Sequence, residues 1–200
     1  MSLLLLAALS VAAPSGWEQF GEEDGVRLWK KEVEGSSFVS FRGRGIVQAS
    51  LREVAAVIRS ADRETRWMAN CVDAATVRWL STNDAIVYHR TGSPAPLVDD
   101  RDVVLVSRFS MDPAKRKITV TFTNTTDKLK PPIDGVVRMP KLKGHWILIA
   151  KGPNATEVEY QVAADPGGSL PAWLVNLVSM KLPLNTLQGL RNEVKVKDYQ

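Results

Sequence analysis

Three side chains in this 200-residue chain carry the chemistry most readily used for metal ligation, acid–base work or nucleophilic attack: the single cysteine, Cys71, and the two histidines, His89 and His145. A lone cysteine forms no intramolecular disulfide, and with two histidines at these separations there is no Cys/His cluster of zinc-site spacing. The sequence therefore names no metal and no cofactor. Cys71 follows Trp67-Met68-Ala69-Asn70 and reads as a small buried apolar side chain, with a reactive thiol as the alternative. His89 beside Tyr88 and His145 beside Trp146 lie in strand-like segments where neighbours alternate faces, so each reads as a solvent-facing or hydrogen-bonded strand histidine. The chain shows no nucleophile–base–orienter set, no phosphate loop and no paired carboxylates at evident spacing, and no catalytic residue is named. Arg101 and Asp102, after the Pro94-Ala95-Pro96 turn, are expected to be a structural pair at a strand entrance, with ligand contact as the alternative, because unpaired charges are rarely buried.

The elements that hold these residues follow from periodicity. Ser50, with Glu53 three residues on, marks a capping box before Leu51, Val54, Ala55, Val57 and Ile58, whose spacing is helical. Arg63 to Asn70 is read as a second short helix. From Thr76 to Ala163 the pattern changes to short runs rich in β-branched and aromatic residues, divided by turns such as Asn83-Asp84, Met111-Asp112-Pro113 and Gly152-Pro153-Asn154, which argues for an antiparallel meander. Asp165-Pro166-Gly167-Gly168 leads to Ser169 as an N-cap, and Leu170, Trp173, Leu174, Leu177, Val178, Leu184, Leu187, Leu190 and Val194 recur at helical spacing that would cover one sheet face. Pro183 removes the hydrogen bond to the Ser179 carbonyl and should kink or split that helix.

Composition bounds the function. A hydrophobic content of 44% supports one substantial core, and 26 basic against 22 acidic residues, interspersed, give a net +4 with no basic stripe for nucleic acid. The chain is expected to be a monomer. Residues 1–13, MSLLLLAALSVAA, are too short to span a bilayer and end in small residues, as a secretory signal does. They imply a periplasmic or secreted protein, with membrane anchoring or a cytoplasmic chain as alternatives.

The ordered set Trp67-Met68-Ala69-Asn70-Cys71, Tyr88, Pro94-Ala95-Pro96, Arg101-Asp102-Val103-Val104, Met139-Pro140-Lys141-Leu142-Lys143-Gly144-His145-Trp146 and Asp165-Pro166-Gly167-Gly168-Ser169-Leu170-Pro171-Ala172-Trp173 resembles the bacterial branch of the steroidogenic acute regulatory protein-related lipid-transfer (START) domains. The likeness spans nearly everything from Trp17 to Val194, within a single domain drawn over residues 17–196. It implies an α+β helix-grip fold, a curved antiparallel sheet wrapped around a long C-terminal helix with an internal apolar tunnel. It also implies one bound lipid or sterol-like molecule, carried or presented through transient membrane contact, without catalysis. Cyclase or aromatase chemistry on the same fold, or a lipid-sensing scaffold, are the alternatives. Many lipid-binding relatives place an acidic residue before the Pro-x-Pro turn and a basic one six positions after the arginine of the Arg-Asp pair; here those positions align with Arg90 and Ser107, suited to an anionic head group and a hydroxyl, with an outward-pointing surface arginine and a serine bonded to neighbouring backbone as the alternative. Met139, Trp146, Tyr160, Trp173, Leu177 and Met180 complete the expected tunnel lining.

Overall fold

The computed structural model describes residues 16–93, 98–168 and 170–196. The expected leader, the Pro94-Ala95-Pro96 turn and the Ser169 cap lie outside these residues. Three strands open the chain, β1 (Glu18–Glu23), β2 (Val26–Glu32) and β3 (Val39–Val47), followed by α1 (Leu51–Arg59) and a 3-10 helix (Ala61–Arg66). Then come β4 (Cys71–Trp79), β5 (Asp84–Thr91), β6 (Asp100–Asp112), β7 (Lys117–Asn124), β8 (Val136–Arg138), β9 (Lys141–Gly152) and β10 (Ala155–Asp165), and the chain ends in α2 (Ala172–Met180) and α3 (Leu182–Glu193).

The strands make one sheet in the order β1-β2-β3-β10-β9-β7-β6-β5-β4, antiparallel throughout, with β8 attached parallel to β6. The sequence reading of a meander holds for β4 to β7 and for β9 to β10. It misses the join that completes the sheet, in which β3 pairs with β10 from Val47 opposite Thr156 to Phe41 opposite Val162. The expected second helix is a single 3-10 segment that ends at Arg66, and β4 begins at Cys71, five residues before the expected Thr76.

The capping box at α1 closes on both sides: Glu53 N–H donates to Ser50 Oγ at 3.3 Å, and Ser50 N–H donates to Glu53 Oε2 at 2.7 Å. Helix α1 turns Val54, Val57 and Ile58 inward. They meet Leu184, Leu187 and Leu190 of α3 and the sheet residues Val47, Leu148 and Val158, all at most 1% exposed. Trp67, Trp146 and Tyr160 extend this core; the Trp146 and Tyr160 rings stack with centroids 4.2 Å apart, and Trp67 tilts against Trp146 at 5.9 Å.

The C-terminal helix splits where proline dictates. Pro183 stands in the first turn of α3, where its missing N–H is not needed, and the Ser179 carbonyl it would have engaged instead accepts the N–H of Lys181. Leu184 and Leu187 follow at helical spacing and are buried, so α3 is the gripped segment and α2 a separate piece above it.

Gly189 shows how tight the grip is. A Cβ at this position would lie 1.9 Å from the Trp67 carbonyl oxygen, a backbone atom that cannot step aside. In an isolated helix, alanine exceeds glycine by about 1 kcal/mol. Here the sign reverses: Gly189→Ala is expected to destabilise the domain by about 1–3 kcal/mol through overpacking. Urea unfolding checks this, as a lower midpoint with an unchanged slope; a raised midpoint would show that α3 does not seat against Trp67.

A smaller core lies on the outer side of the sheet. Ile86, Tyr88 and Val104 pack together there, and Lys130 Nζ sits 4.0 Å from the Tyr88 ring centre. Asp102, fully buried, accepts from Arg138 Nε at 2.6 Å and from a terminal Arg138 nitrogen at 3.0 Å. Arg138 also donates to the carbonyls of Lys130 and Pro131, tying that connection to the sheet. The expected Arg101–Asp102 pair is thus corrected: adjacent strand residues project to opposite faces, so Asp102 meets Arg138 outside while Arg101 faces inward.

Candidate ligand-binding cavity

Between the concave sheet face and α2 lies a cavity of about 240 Å³. Aliphatic and aromatic side chains form most of its wall, among them Phe41, Val103, Leu105, Phe122, Leu142 and Val162 from the strands. Their positions follow from the two-residue period of each strand: Val103 and Leu105 of β6 point inward while Asp102 and Val104 point outward. Helix α2 closes the remaining side with Leu174, Val175, Val178 and Ser179. No residue of α2 is fully buried. Two hydrogen bonds join it to the segment leading into β3: the Val39 N–H donates to Asn176 Oδ1 at 3.1 Å, and Asn176 Nδ2 donates to the Ser37 carbonyl at 3.3 Å.

Of the residues expected to line a tunnel, Ser107, Met139, Trp146 and Tyr160 line this cavity. Trp173 and Leu177 do not: one turn apart on α2, they face water and are 68% and 57% exposed. The sequence of α2, AWLVNLVSM, is apolar on nearly every face, so its pattern carries no signal for which side turns inward. Met180, at the end of α2, is absent from the wall as well.

Arg90 takes the outward alternative and does not line the cavity. It points away from the cavity and forms an ion pair with Asp100 at 3.5 Å, while its neighbour His89 takes the inward place. Arg101, expected to be structural, contributes to the wall and donates to the Asp99 carbonyl.

His89 belongs to a polar group that the sequence reading overlooked. Its Nδ1 lies 2.9 Å from Glu64 Oε2, on the 3-10 helix, and 3.5 Å from Cys71 Sγ, at the start of β4. Desolvation by itself would lower the imidazole's pKa, but hydrogen bonds to Cys71 and Glu64 outweigh it and push the value up to about 10. Glu64 and His89 both reach the cavity wall, and Cys71 stands behind them. The three form no nucleophile relay, since a relay uses both ring nitrogens and here both partners address Nδ1. Residues 64, 71 and 89 come from three elements, so no sequence spacing could reveal the group; a β-bulge between Cys71 and Asp73 and the left-handed backbone of Asn70, at φ 61°, are what re-aim Cys71.

Nearby, Tyr160 is 5% exposed, and desolvation together with the Glu64 charge raises its phenol far above the ordinary range, so it stays neutral. On the opposite sheet face, Glu159 accepts from His145 Nε2 at 3.0 Å and from Arg44. Burial opposes its ionisation, yet these hydrogen bonds prevail and hold its carboxyl down to about 2. His145 is thereby a hydrogen-bonded strand histidine away from the cavity.

The START domain sequence profile matches residues 5–195. The chain belongs to the START domain family. An uncharacterized protein of Pseudomonas aeruginosa is 32% identical over 195 residues, covering 96% of this START chain and 95% of its own length. The crystal structure of a STAR-related lipid transfer protein from Xanthomonas axonopodis is 30% identical and superposes with a TM-score of 0.82 over 91% of this chain and all of its own. Human phosphatidylcholine transfer protein is 21% identical over 82% of this chain and 77% of its own length. The helix-grip arrangement expected from sequence, a curved antiparallel sheet closed by C-terminal helices, is the arrangement this START domain adopts. Among the described residues no helix is long and apolar enough to cross a membrane.

Proposed function

We propose that this START domain binds one lipid or sterol-like amphiphile in the cavity beneath α2 and carries or presents it without chemical change. The observation that carries this reading is the wall itself, a mostly apolar surface from the sheet and α2 interrupted by scattered polar groups, among them Arg101, Ser107, Asn176 and the Glu64–His89 pair. Each 100 Å² of ligand surface that such a wall removes from water contributes about 2.5 kcal/mol of gross driving force, and scattered polar groups fix orientation. The lipid-transfer relatives support the same reading. At about 240 Å³ the cavity falls just below the roughly 300–1,000 Å³ usual for ligand pockets. A lipid with two chains therefore requires α2 to move outward, and α2 is the one helix or strand along the described cavity wall with no fully buried residue to hold it in place.

Detergent-free purification from native cells, followed by native mass spectrometry and extraction, tests the reading. One lipid class at about one molecule per chain is the expected result. A chain recovered empty that takes up neither fatty acid, sterol nor phospholipid from vesicles would overturn it.

A further inference from the structure

The Glu64, Cys71 and His89 donor atoms all lie within 4.8 Å of one another. Their arrangement is unusual for a purely hydrogen-bonded group. A single ring nitrogen, Nδ1, is approached by a carboxylate oxygen at 2.9 Å and by a sulfur at 3.5 Å, and one N–H cannot be directed well at both. A cation centred among the three would satisfy them together. Ligands at about 2.0–2.3 Å from a tetrahedral ion stand roughly 3.3–3.7 Å apart, so the Sγ–Nδ1 separation already matches and the Nδ1–Oε2 contact has to open by a few tenths of an ångström.

The three ligands are held from behind. Cys71 N–H donates to the Met68 carbonyl at 3.2 Å, the Trp67 and Met68 N–H groups both donate to the Glu64 carbonyl, and Gly92 N–H donates to the Asn70 carbonyl at 2.9 Å. These bonds fix the 3-10 helix against the starts and ends of β4 and β5. Sulfur, imidazole and carboxylate in one set favour a borderline ion over magnesium or calcium, which prefer all-oxygen shells. We propose that Glu64, Cys71 and His89 bind Zn²⁺ at the cavity wall and leave a fourth coordination position for water or for an oxygen of the bound amphiphile. Binding displaces the Cys71 thiol proton and any proton on His89 Nδ1, since ligating sulfur and nitrogen must be free of them. Without metal, the thiol proton has a resting place at the Asp73 carbonyl, 3.6 Å from Sγ.

The test is Co²⁺ titration of the chelator-stripped full chain, followed by displacement with Zn²⁺. One Co²⁺ per chain is expected, with a thiolate-to-cobalt charge-transfer band that Zn²⁺ abolishes. Cys71→Ser should lose the band and weaken uptake by at least about tenfold, while His145→Gln, on the other sheet face, should change neither. Folding of each variant is checked by circular dichroism, and protection of Cys71 from a thiol reagent by Zn²⁺ gives a readout that needs no variant. Failure of the folded wild-type chain to take up Co²⁺, a band retained in Cys71→Ser, or a thiol equally reactive with and without Zn²⁺ would each overturn the proposal. The lipid-binding reading is measured separately, by extraction, and stands or falls independently.

Discussion

Asp102→Ala is expected to lower the stability of the domain by about 3–5 kcal/mol, because removing one partner of a buried ion pair leaves the other uncompensated. Asp102 is fully buried, and Arg138, 23% exposed at its side chain, has turned its guanidinium inward to meet it. That loss would be a large share of the roughly 5–15 kcal/mol that keeps a domain folded. The damage should extend to the connection before β8, since the same guanidinium holds the Lys130 and Pro131 carbonyls. Urea unfolding measures the loss, and hydrogen exchange over residues 128–138 locates it. The double variant Asp102→Leu with Arg138→Met separates the pair's net contribution from the cost of breaking it, and should be less damaged than Asp102→Ala. A single variant within about 1 kcal/mol of wild type would place the pair in solvent instead, where ion pairs contribute little.

The second large effect concerns lipid exchange. In a Cys71→Ser background, Val39→Cys with Asn176→Cys places two thiols where the Asn176 side chain now binds the Val39 N–H. A disulfide there opposes local opening of α2 by about 2–4 kcal/mol. At 1.4 kcal/mol per factor of ten, lipid transfer between vesicles should slow by roughly 30- to 700-fold, and reduction should restore it. Transfer that is unaffected with the bond formed would mean that lipid enters elsewhere, and α2 would cease to be the gate.

What the residues disclosed in advance was whatever has a local cause. The capping box of Ser50 and Glu53 and the break at Pro183 depend on neighbours within one turn, and both are in place. Burial of Met139, Trp146 and Tyr160 was legible because large apolar side chains at strand spacing seek the interior. The direction of individual side chains was harder. Arg90 and His89 differ by one residue and therefore by a whole sheet face, and residue types alone do not choose which of them turns inward. The expected Arg101–Asp102 pair fails for the same reason, since neighbouring strand residues point to opposite faces and only Arg101 turns inward. The Glu64–Cys71–His89 group is wholly tertiary, assembled by a bulge and a 3-10 turn that leave no periodic trace.

The pairing of β3 with β10 bears on how the chain comes to be folded at all. Residues 41–47 find their hydrogen-bond partners at 156–162, so the first three strands keep an open edge until nearly the whole polypeptide is available. Contacts this distant in sequence slow the search for the native state, and an unpaired strand edge is a template for pairing with another chain. Strand β1, at one border of the finished sheet, carries Glu18, Glu22 and Glu23 and is guarded by their charge. The inner edge of β3 has only time on its side, so yield during synthesis should depend on how quickly β10 arrives.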